Sequence, residues 1–335
     1  MPMEKKDPAV VCAQNEIHRM GVTMKYAIIS DVHGNYPALK LAIEDAIVQG
    51  ADEFLFVGDY CITAPWPCEV VEMLQGMKNA RIISGNGEKY LKRPIGDDGQ
   101  FGITYWTKKK LSKEQTKWLL ALPDEEEFMY EGVKIYMVHD SDELLKGAEC
   151  RYFSTEKTAL RYLGGTTRQQ LLMDVQNDLG NDKGFQELLD SLPGGVYIFA
   201  HTHVQWYLQT KKHLFINSGS CGQPLDCMED GAAYTLLTIQ DGKAFVEERR
   251  VPYDVEELIR QVKKTSQYEE ARVWTETIIK GWRTCREQSS RYIEHVEKYA
   301  QKIGDERRPF TKETWDGAFD SWDIPEQIGR IGEEK

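Results

Sequence analysis

The stretch MKYAIISDVHGN, residues 24–35, is the most informative part of the sequence about the fold. Its short apolar run, KYAIISD (25–31), is typical of a strand. The run leads into an acid, a histidine, a glycine and an asparagine. Because residues i and i+2 of an extended segment point to the same side, Asp31 and His33 can converge on one point. This stretch therefore predicts a strand that carries polar, chemically active side chains at its C-terminal end.

Seven further runs have the same strand-like character. They cover residues 53–59, 80–86, 133–140, 196–203, 213–219, 232–239 and 243–251. Helical patterns lie between the earlier runs: residues 36–50 have apolar side chains at three- and four-residue spacing, and residues 112–122 open on a capping-box pair, Ser112 and Gln115. The last three runs follow one another closely, as antiparallel neighbours do. The pattern predicts an α/β chain with two packed, mixed sheets flanked by helices.

Length, charge and cysteine content exclude several classes of protein. The chain has 335 residues, 42 basic and 54 acidic, so its net charge is −12. This charge argues against a surface that binds a nucleic-acid polymer, whereas a small phosphorylated substrate remains compatible with it. No apolar run is long enough to cross a membrane and no signal segment is evident, so we expect no membrane partner and a cytoplasmic location. The seven cysteines, without a Cys-x-x-Cys pair, indicate reduced thiols.

Composition divides the chain into three predicted parts. Residues 1–23 are expected to be a mobile N-terminal extension, since Met24 makes a natural start. Residues 24–282 form the central domain, in which the polar, helical segment 150–193 is an insertion suited to a lid or substrate wall. Residues 283–335 are a C-terminal helical extension with an acidic tail. This extension could form a homo-oligomer, or its tryptophans could simply pack on the central domain.

Five consecutive strand runs end in polar side chains that bind metals well. Their carboxylate, amide and imidazole groups belong to Asp31, His33, Asp59, Asn86, His139, His201 and His203. Each one alone has an ordinary explanation as a turn residue, a helix cap or a core histidine. Together they indicate a site at one sheet edge, where α/β folds usually bind their ligands. The other three histidines, His18, His213 and His295, are interpreted as structural or surface residues.

The chemistry of this set favours transition metals. Carboxylates and imidazoles with one amide oxygen and no thiolate suit Mn²⁺, Fe²⁺, Zn²⁺, Ni²⁺ or Co²⁺. Seven ligands exceed what one ion takes from a protein, so they favour two ions that share a bridging carboxylate. Two ions about 3.5–4 Å apart are a known arrangement for in-line displacement at phosphorus.

The order Asp-x-His, Gly-Asp, Gly-Asn-x-Glu, His, His-x-His resembles that of the calcineurin-like metallophosphoesterase superfamily. The later segment INSGSCGQPLD (216–226) is similar to one found in its small bacterial and archaeal phosphodiesterase-type members. The resemblance covers roughly residues 24–280. It implies a four-layer α-β-β-α sandwich, with two mixed sheets between helices, and a dinuclear metal centre.

The resemblance also implies a role for each candidate residue. It assigns three ligands to the first metal, one to the bridge and three to the second metal: Asp31, His33 and His203; Asp59; and Asn86, His139 and His201, respectively. The implied reaction is hydrolysis of a phosphoester by in-line attack of a metal-bridging hydroxide. Asp59 and Asn86 thereby take part in catalysis. Asn35 could contact the phosphate or be a turn residue, and the amides of residues 219–222 could bind an anion or only form a turn.

Three positions depart from the family pattern. Gly87 stands where many members have a histidine that helps the leaving group depart, Ser218 where proline is common, and Leu225 where arginine is common. Glycine has no side chain to donate a proton, so a good leaving group is favoured. The sequence therefore predicts a phosphodiesterase-type hydrolase acting on a phosphodiester or phosphoanhydride.

Other functions remain open at this stage. A dinucleoside-tetraphosphate hydrolase and a Ser/Thr protein phosphatase would use the same metal ligands. The polyphosphate hydrolase needs a basic pocket, which residues 107–117 could supply, although a lysine run at a helix start is more often solvated. A scaffold protein without catalysis is a further alternative, but the complete ligand set argues against it.

Overall fold

In the computed structural model, two sheets form the centre of the chain, and the structure describes residues 23–140, 168–226 and 231–322. The strands of these ranges are β1 (Met24–Ile29), β2 (Glu53–Val57), β3 (Ala80–Ile83), β4 (Glu125–Tyr130), β5 (Val133–Val138), β6 (Gly195–Phe199), β7 (Gln205–Gln209), β8 (His213–Ser218), β9 (Ala232–Gln240) and β10 (Lys243–Val251). The helices are α1 (Tyr36–Val48), α2 (Pro67–Gly76), α3 (Asn86–Tyr90), α4 (Gly102–Lys110), α5 (Lys113–Leu119), α6 (Arg168–Asn181), α7 (Lys183–Ser191), α8 (Val255–Val262), α9 (Ser266–Glu270), α10 (Arg272–Thr284), α11 (Ser289–Ile303) and α12 (Lys312–Phe319).

Both sheets have five strands and mixed direction. The first has the order β10-β9-β1-β2-β3 and the second the order β4-β5-β6-β8-β7. In the first sheet β1, β2 and β3 run parallel, whereas β9 pairs antiparallel with β1 and β10. In the second sheet β5, β6 and β8 are parallel, and the edge strands β4 and β7 are antiparallel to their neighbours. The parallel strands of each sheet therefore end at a common edge.

The side chains of β1 and β2 alternate between two separate cores. Ile28 and Leu55 pack in the core between the sheets, whereas Ala27 and Phe54 pack against α1, α2 and α8 on the outer face of the first sheet. Helix α7 covers the outer face of the second sheet through Phe185. Strands buried on both faces have continuous apolar runs, which explains the pattern of residues 25–31. The predicted four-layer α-β-β-α sandwich is confirmed.

The eight predicted strand runs all contain a strand, but two strands were missed. Strand β4 opens on three glutamates, which are uncommon in strands, and the short β7 follows directly after His203. The expectation that the last three runs are antiparallel neighbours is wrong for β8, which lies in the other sheet from β9 and β10. The lysines 108–110 lie in the last turn of α4, not at a helix start. The capping box of Ser112 and Gln115 is confirmed.

The predicted division of the chain falls partly outside the described ranges. Residues 1–22 of the predicted N-terminal extension, 150–167 of the predicted insertion and 323–335 of the predicted C-terminal tail lie outside them. The rest of the insertion consists mainly of α6 and α7. Helix α10 continues past residue 282, and its Trp282 is buried in the core beside α1. The domain boundaries and the lid function stay predictions. Among the described helices, none has the length and apolar character that a membrane span requires.

Candidate metal centre

The predicted ligands lie just beyond the ends of β1, β2, β3, β5 and β6. Five of them have left-handed backbone conformations, with φ values of 48° at Asp31, 52° at His33, 58° at Asp59, 67° at His201 and 57° at His203. The sequence suggested that the pleat of an extended strand brings these side chains together, and this expectation is wrong because these residues are not extended. The loops after the strands turn sharply and direct the side chains inward. Residues other than glycine rarely adopt this conformation.

The first group of candidate ligands is Asp31, His33 and His203. The Oδ1 atom of Asp31 lies 3.4 Å from Nε2 of His203 and 3.8 Å from Nε2 of His33. The two imidazole Nε2 atoms lie 3.1 Å apart. One ligand atom from each residue lies within 4.8 Å of the others, so the three can share one ion.

A second group combines Asp31, Asp59 and His139. Oδ1 of Asp59 lies 3.5 Å from Nε2 of His139, and its Oδ2 lies 3.8 Å from Nε2 of His33. The two oxygens of Asp59 thus face imidazoles of different groups. This is the position that a bridging carboxylate needs.

The remaining two candidates lie beside His139. The side-chain oxygen of Asn86 is 3.0 Å from Nε2 of His139, and the ring of His201 is 5.3 Å from the His139 ring. Nε2 of His201 also lies 3.9 Å from a carboxylate oxygen of Asp140, a neighbour to which the sequence assigned no role. The structure therefore brings all seven predicted metal ligands to one edge.

Backbone carbonyls orient three of the imidazoles. Nδ1 of His33 lies 2.8 Å from the carbonyl of Ile62, Nδ1 of His139 lies 2.6 Å from that of Val57, and Nδ1 of His203 lies 2.7 Å from that of Gln223. A carbonyl can only accept, so each Nδ1 donates its proton. When such a ring is neutral, the lone pair of Nε2 therefore faces the centre, as in metal-binding histidines.

The donor set fits a cation. Oδ1 of Asp31 is buried and has no hydrogen-bond partner in the described part of the chain, yet three imidazole Nε2 atoms surround it at 3.4–4.0 Å. In their neutral form these nitrogens present lone pairs, so acceptors then face acceptors across a small space. A buried carboxylate in such surroundings needs a positive charge. Divalent transition metals take this combination of oxygen and nitrogen ligands.

Burial and charge act in opposite directions on these groups. Burial alone would raise the pKa of Asp59, but the positive charge that His139 and His33 carry when protonated outweighs it and lowers the pKa. Burial lowers the pKa of His203 to about 4, although Asp31 partly opposes this. His203 is therefore neutral at physiological pH and its Nε2 is free to bind a metal.

Glu88 supports the centre and was not singled out from the sequence. Its buried carboxylate accepts hydrogen bonds from the amides of Gly85 (2.8 Å), Asp59 (3.0 Å) and Tyr60 (2.8 Å). Burial and the charge of Asp59 raise its pKa. The glutamate in Gly-Asn-Gly-Glu was the available signal, because it occupies the third position of α3, where a carboxylate can accept from the amide of the residue before the helix, Gly85.

Two glycines allow α3 to approach Asp59 closely. The amide of Gly87 donates to Oδ1 of Asp59 at 2.6 Å, and a Cβ at this position would lie 3.0 Å from the same oxygen. A Cβ at Gly85 would overlap that oxygen. Gly87 therefore supplies a backbone donor at the position where many family members have a histidine side chain.

Asn35 has a structural role in the observed fold. It is fully buried, its side-chain oxygen accepts from the amide of Ala38 at the start of α1, and its amide group donates to the carbonyl of Gly222 at 3.0 Å. These bonds account for the side chain as a helix cap. Contact between Asn35 and a phosphate stays a prediction.

The segment 216–226 wraps around Asp31. The amides of Cys221 and Gly222 donate to the carbonyls of Ser30 and Asp31, and Ser218 lies 2.8 Å from the hydroxyl of Ser30. These amides are therefore engaged within the protein, so the expectation that they bind an anion is not supported. Leu225, where many family members have arginine, is buried.

Fold and site together define an α/β protein with a candidate dinuclear metal centre. The sequence model of the calcineurin-like phosphoesterase superfamily domain matches residues 24–242, which is more than half of the chain. The chain belongs to this superfamily, and the resemblance predicted from its motifs is confirmed.

The chain is also similar to individual proteins of known sequence or structure. An uncharacterized protein of Methanocaldococcus jannaschii is 24% identical over 256 residues, which cover 71% of this chain and 91% of that protein. A metallophosphoesterase from Sphaerobacter thermophilus has the same fold, with a TM-score of 0.53 and 19% identity over 77% of this chain and 99% of its own. A hypothetical protein from Pyrococcus horikoshii matches with a TM-score of 0.51 and 16% identity, over 76% and 97% of the respective chains.

Proposed function

We propose that this protein is a metal-dependent phosphoesterase that hydrolyses a small phosphodiester or phosphoanhydride. The observation that supports it best is the environment of Asp31, whose buried Oδ1 faces three imidazole nitrogens with no hydrogen-bond donor among the described residues. A bound cation would supply the positive charge that stabilises a buried carboxylate in this arrangement. Membership of the superfamily connects a metal site of this kind with phosphoester hydrolysis.

The chain's own residues hold and orient the ligands. Asp31, His33 and His203 would bind the first ion, Asn86, His139 and His201 the second, and Asp59 both. When bound, two divalent ions would neutralise charge on the phosphoryl oxygens and supply a nucleophilic water at neutral pH. Carbonyl partners keep three of the imidazoles in the tautomer that binds metal. Manganese or nickel are the ions we expect to activate the enzyme best.

Gly87 supports the substrate class. Its amide is bound to Asp59, and a side chain there would crowd the same carboxylate. No side chain at this position can protonate a leaving group, so alkoxide leaving groups of high pKa are disfavoured. The aryloxide of an aryl phosphodiester and the phosphate of a phosphoanhydride leave without this help. We therefore expect them to be hydrolysed faster than alkyl monoesters.

Metal analysis combined with a substrate panel tests the proposal. We expect two equivalents of transition metal per chain and turnover of an aryl phosphodiester, with dinucleoside polyphosphates, monoesters and a phosphopeptide as competing substrates. Asp59→Asn should reduce turnover by more than about 100-fold. This is more than the reduction usually seen when only an outer partner of a metal ligand is lost.

Asp241→Asn is the matched control. Asp241 is an exposed turn residue with φ 52°, close to the 58° of Asp59, so both variants make the same change in the same backbone conformation. The control should keep its metal and its activity. If the wild-type protein bound no metal under any loading condition, or if it hydrolysed none of these phosphoesters with metal bound, the proposal would be wrong.

A further inference from the structure

The C-terminal helices reach the candidate metal centre, although they lie outside the part of the chain that matches the superfamily, residues 24–242. We propose that Gln267 of α9 and Trp282 of α10 are positioning residues for His33 and His203, the two imidazoles of the first metal position. This inference rests on the metal site of the proposed function. It assigns to the helices a role in building that site, in addition to packing.

Gln267 acts on His33 through the loop after β2. It is fully buried, and its Nε2 donates to the carbonyl of Thr63 at 2.7 Å. Thr63 has a φ of 137°, which a β-branched residue rarely adopts, so its conformation depends on such contacts. The preceding carbonyl, that of Ile62, accepts from Nδ1 of His33, and the hydroxyl of Thr63 lies 3.3 Å from the same nitrogen. The Gln267 contact therefore fixes the loop that orients His33.

Trp282 acts on His203 through the segment that wraps Asp31. Its indole Nε1 donates to the carbonyl of Gly222 at 2.8 Å. The next carbonyl, that of Gln223, accepts from Nδ1 of His203 at 2.7 Å. The ring of Trp282 is almost completely buried, so the bond has no competition from water. Asn35 donates to the same Gly222 carbonyl at 3.0 Å, so α10 shares in setting where the acceptor for His203 lies.

The second metal position has its own supports. His139 is oriented by the carbonyl of Val57, which belongs to β2 in the centre of the first sheet. Asn86 begins α3, which Glu88 ties to the loop after β2. Gln267 bonds that loop further along, at the carbonyl of Thr63, and Trp282 bonds the carbonyl of Gly222, so neither described hydrogen bond is with Val57, α3 or the amides that Glu88 holds. Loss of either contact should therefore affect one metal and spare the other.

Two substitutions in the full-length protein test this selectivity. Gln267→Met keeps the length of the side chain and removes the donor, and Trp282→Phe keeps an aromatic ring and removes the indole N–H. We expect each to weaken the binding of one of the two metal equivalents about 10- to 100-fold, as loss of an outer partner of a ligand usually does. The other equivalent should keep wild-type affinity. Affinities are measured by competition of Mn²⁺ or Co²⁺ with a chelator.

Trp274→Phe is the matched control. Trp274 lies on the same helix, and its indole also donates to a backbone carbonyl, that of Gln100 at 2.9 Å, but this bond is outside the metal centre. Trp274→Phe should leave the affinities for both metal ions unchanged while lowering the stability of the fold about as much as Trp282→Phe does. Circular dichroism and thermal unfolding confirm that each variant is folded. If Trp282→Phe does not fold, Gln267→Met alone decides.

Three outcomes separate this inference from the proposed function. Wild-type affinity for both ions in folded Gln267→Met would overturn the inference, as would equal weakening of both ions, because a general structural role predicts that. Selective loss of one ion in a protein that hydrolyses no phosphoester would support the inference and overturn the proposed function. Failure of the wild-type protein to bind metal would overturn both.

Discussion

Individual residues at the centre are held in conformations that cost free energy. A left-handed backbone at a residue other than glycine costs on the order of 1–3 kcal/mol, and the five ligands in this conformation include Asp31 and Asp59. Hydrogen bonds between the loops offset part of this cost: the amide of His33 donates to the carbonyl of Asp59 at 2.9 Å, and that of Asp31 to Gly58 at 3.0 Å. Each ligand loop thus supports the other.

The two glycines near Asp59 should differ in how well they tolerate a methyl group. In Gly85→Ala the Cβ overlaps Oδ1 of Asp59, whereas in Gly87→Ala it lies 3.0 Å away, a few tenths of an ångström too close. We expect Gly85→Ala to lose the bridging carboxylate and to destabilise by about 1–3 kcal/mol or more, the usual cost of overpacking. Gly87→Ala should cost less. Urea unfolding and metal stoichiometry measure both effects.

Gly102→Ala serves as the control for both substitutions. Gly102 opens α4 with nothing within 4 Å of its Cβ position, so alanine there should be neutral or slightly stabilising. If Gly85→Ala and Gly87→Ala had the same stability and the same metal content as each other, α3 would not approach Asp59 in the way that these distances require.

At the scale of elements, Asp45 joins α1 to the antiparallel half of the first sheet. Its carboxylate accepts from the guanidinium of Arg249 on β10 at 2.8 Å and from the hydroxyl of Tyr234 on β9 at 2.5 Å. Partial burial raises the pKa of Asp45, but these hydrogen bonds outweigh it and hold the pKa below its ordinary value. The charged form is therefore the one that stabilises the fold.

Asp45→Asn should show a pH-dependent loss of stability. Because the folded-state pKa is lowered, the stabilisation is fully present above the ordinary value of 3.8 and is lost as pH falls through the lower folded value. We expect asparagine to cost about 1–2 kcal/mol at pH 7, in the range of hydrogen bonds to charged groups. The difference from wild type should shrink below pH 4. Urea unfolding at several pH values tests this, and a difference that is the same at all pH values would contradict it.

Strands buried on both faces were predictable, whereas edge strands were not. The apolar runs 25–31 and 53–59 are unambiguous because both faces of β1 and β2 are covered. Strand β4 has three glutamates and an exposed face, so its local sequence contradicts its structure, and pairing with β5 together with the packing of Phe128 and Tyr130 on the core between the sheets stabilises it. The sheet to which β8 belongs was likewise decided by pairing with β6, which local sequence does not encode.

At the scale of the whole molecule, the C-terminal helices have a small core of their own that is joined to the rest. Trp315 of α12 stacks on Trp274 of α10 with ring centroids 4.9 Å apart and meets Tyr292 of α11 edge to face at 4.8 Å. Gly99, before α4, packs directly on Trp315. The tryptophans of this part therefore pack within the molecule. Formation of a homo-oligomer through these helices, and a cytoplasmic location, stay predictions.

Trp315→Ala should destabilise the protein without removing either metal. Loss of a buried tryptophan typically costs about 3–5 kcal/mol, and Trp315 is fully buried. Urea unfolding should show this loss, while metal stoichiometry of the folded variant stays at the wild-type value because Trp315 has no described contact with Gln267 or Trp282. A folded variant with wild-type stability would show that this cluster contributes nothing to the fold.

The ligand types, their order along the chain and the strands that carry them follow from the amino-acid sequence alone. These features are local, since each motif is a short run of residues whose chemistry can be read directly. The tertiary structure decided how the ligands converge, through left-handed loops in place of an extended pleat. It also placed Gln267 and Trp282 beside the metal centre. Those contacts join residues more than 50 positions apart, and only long-range packing of the layers brings such residues together.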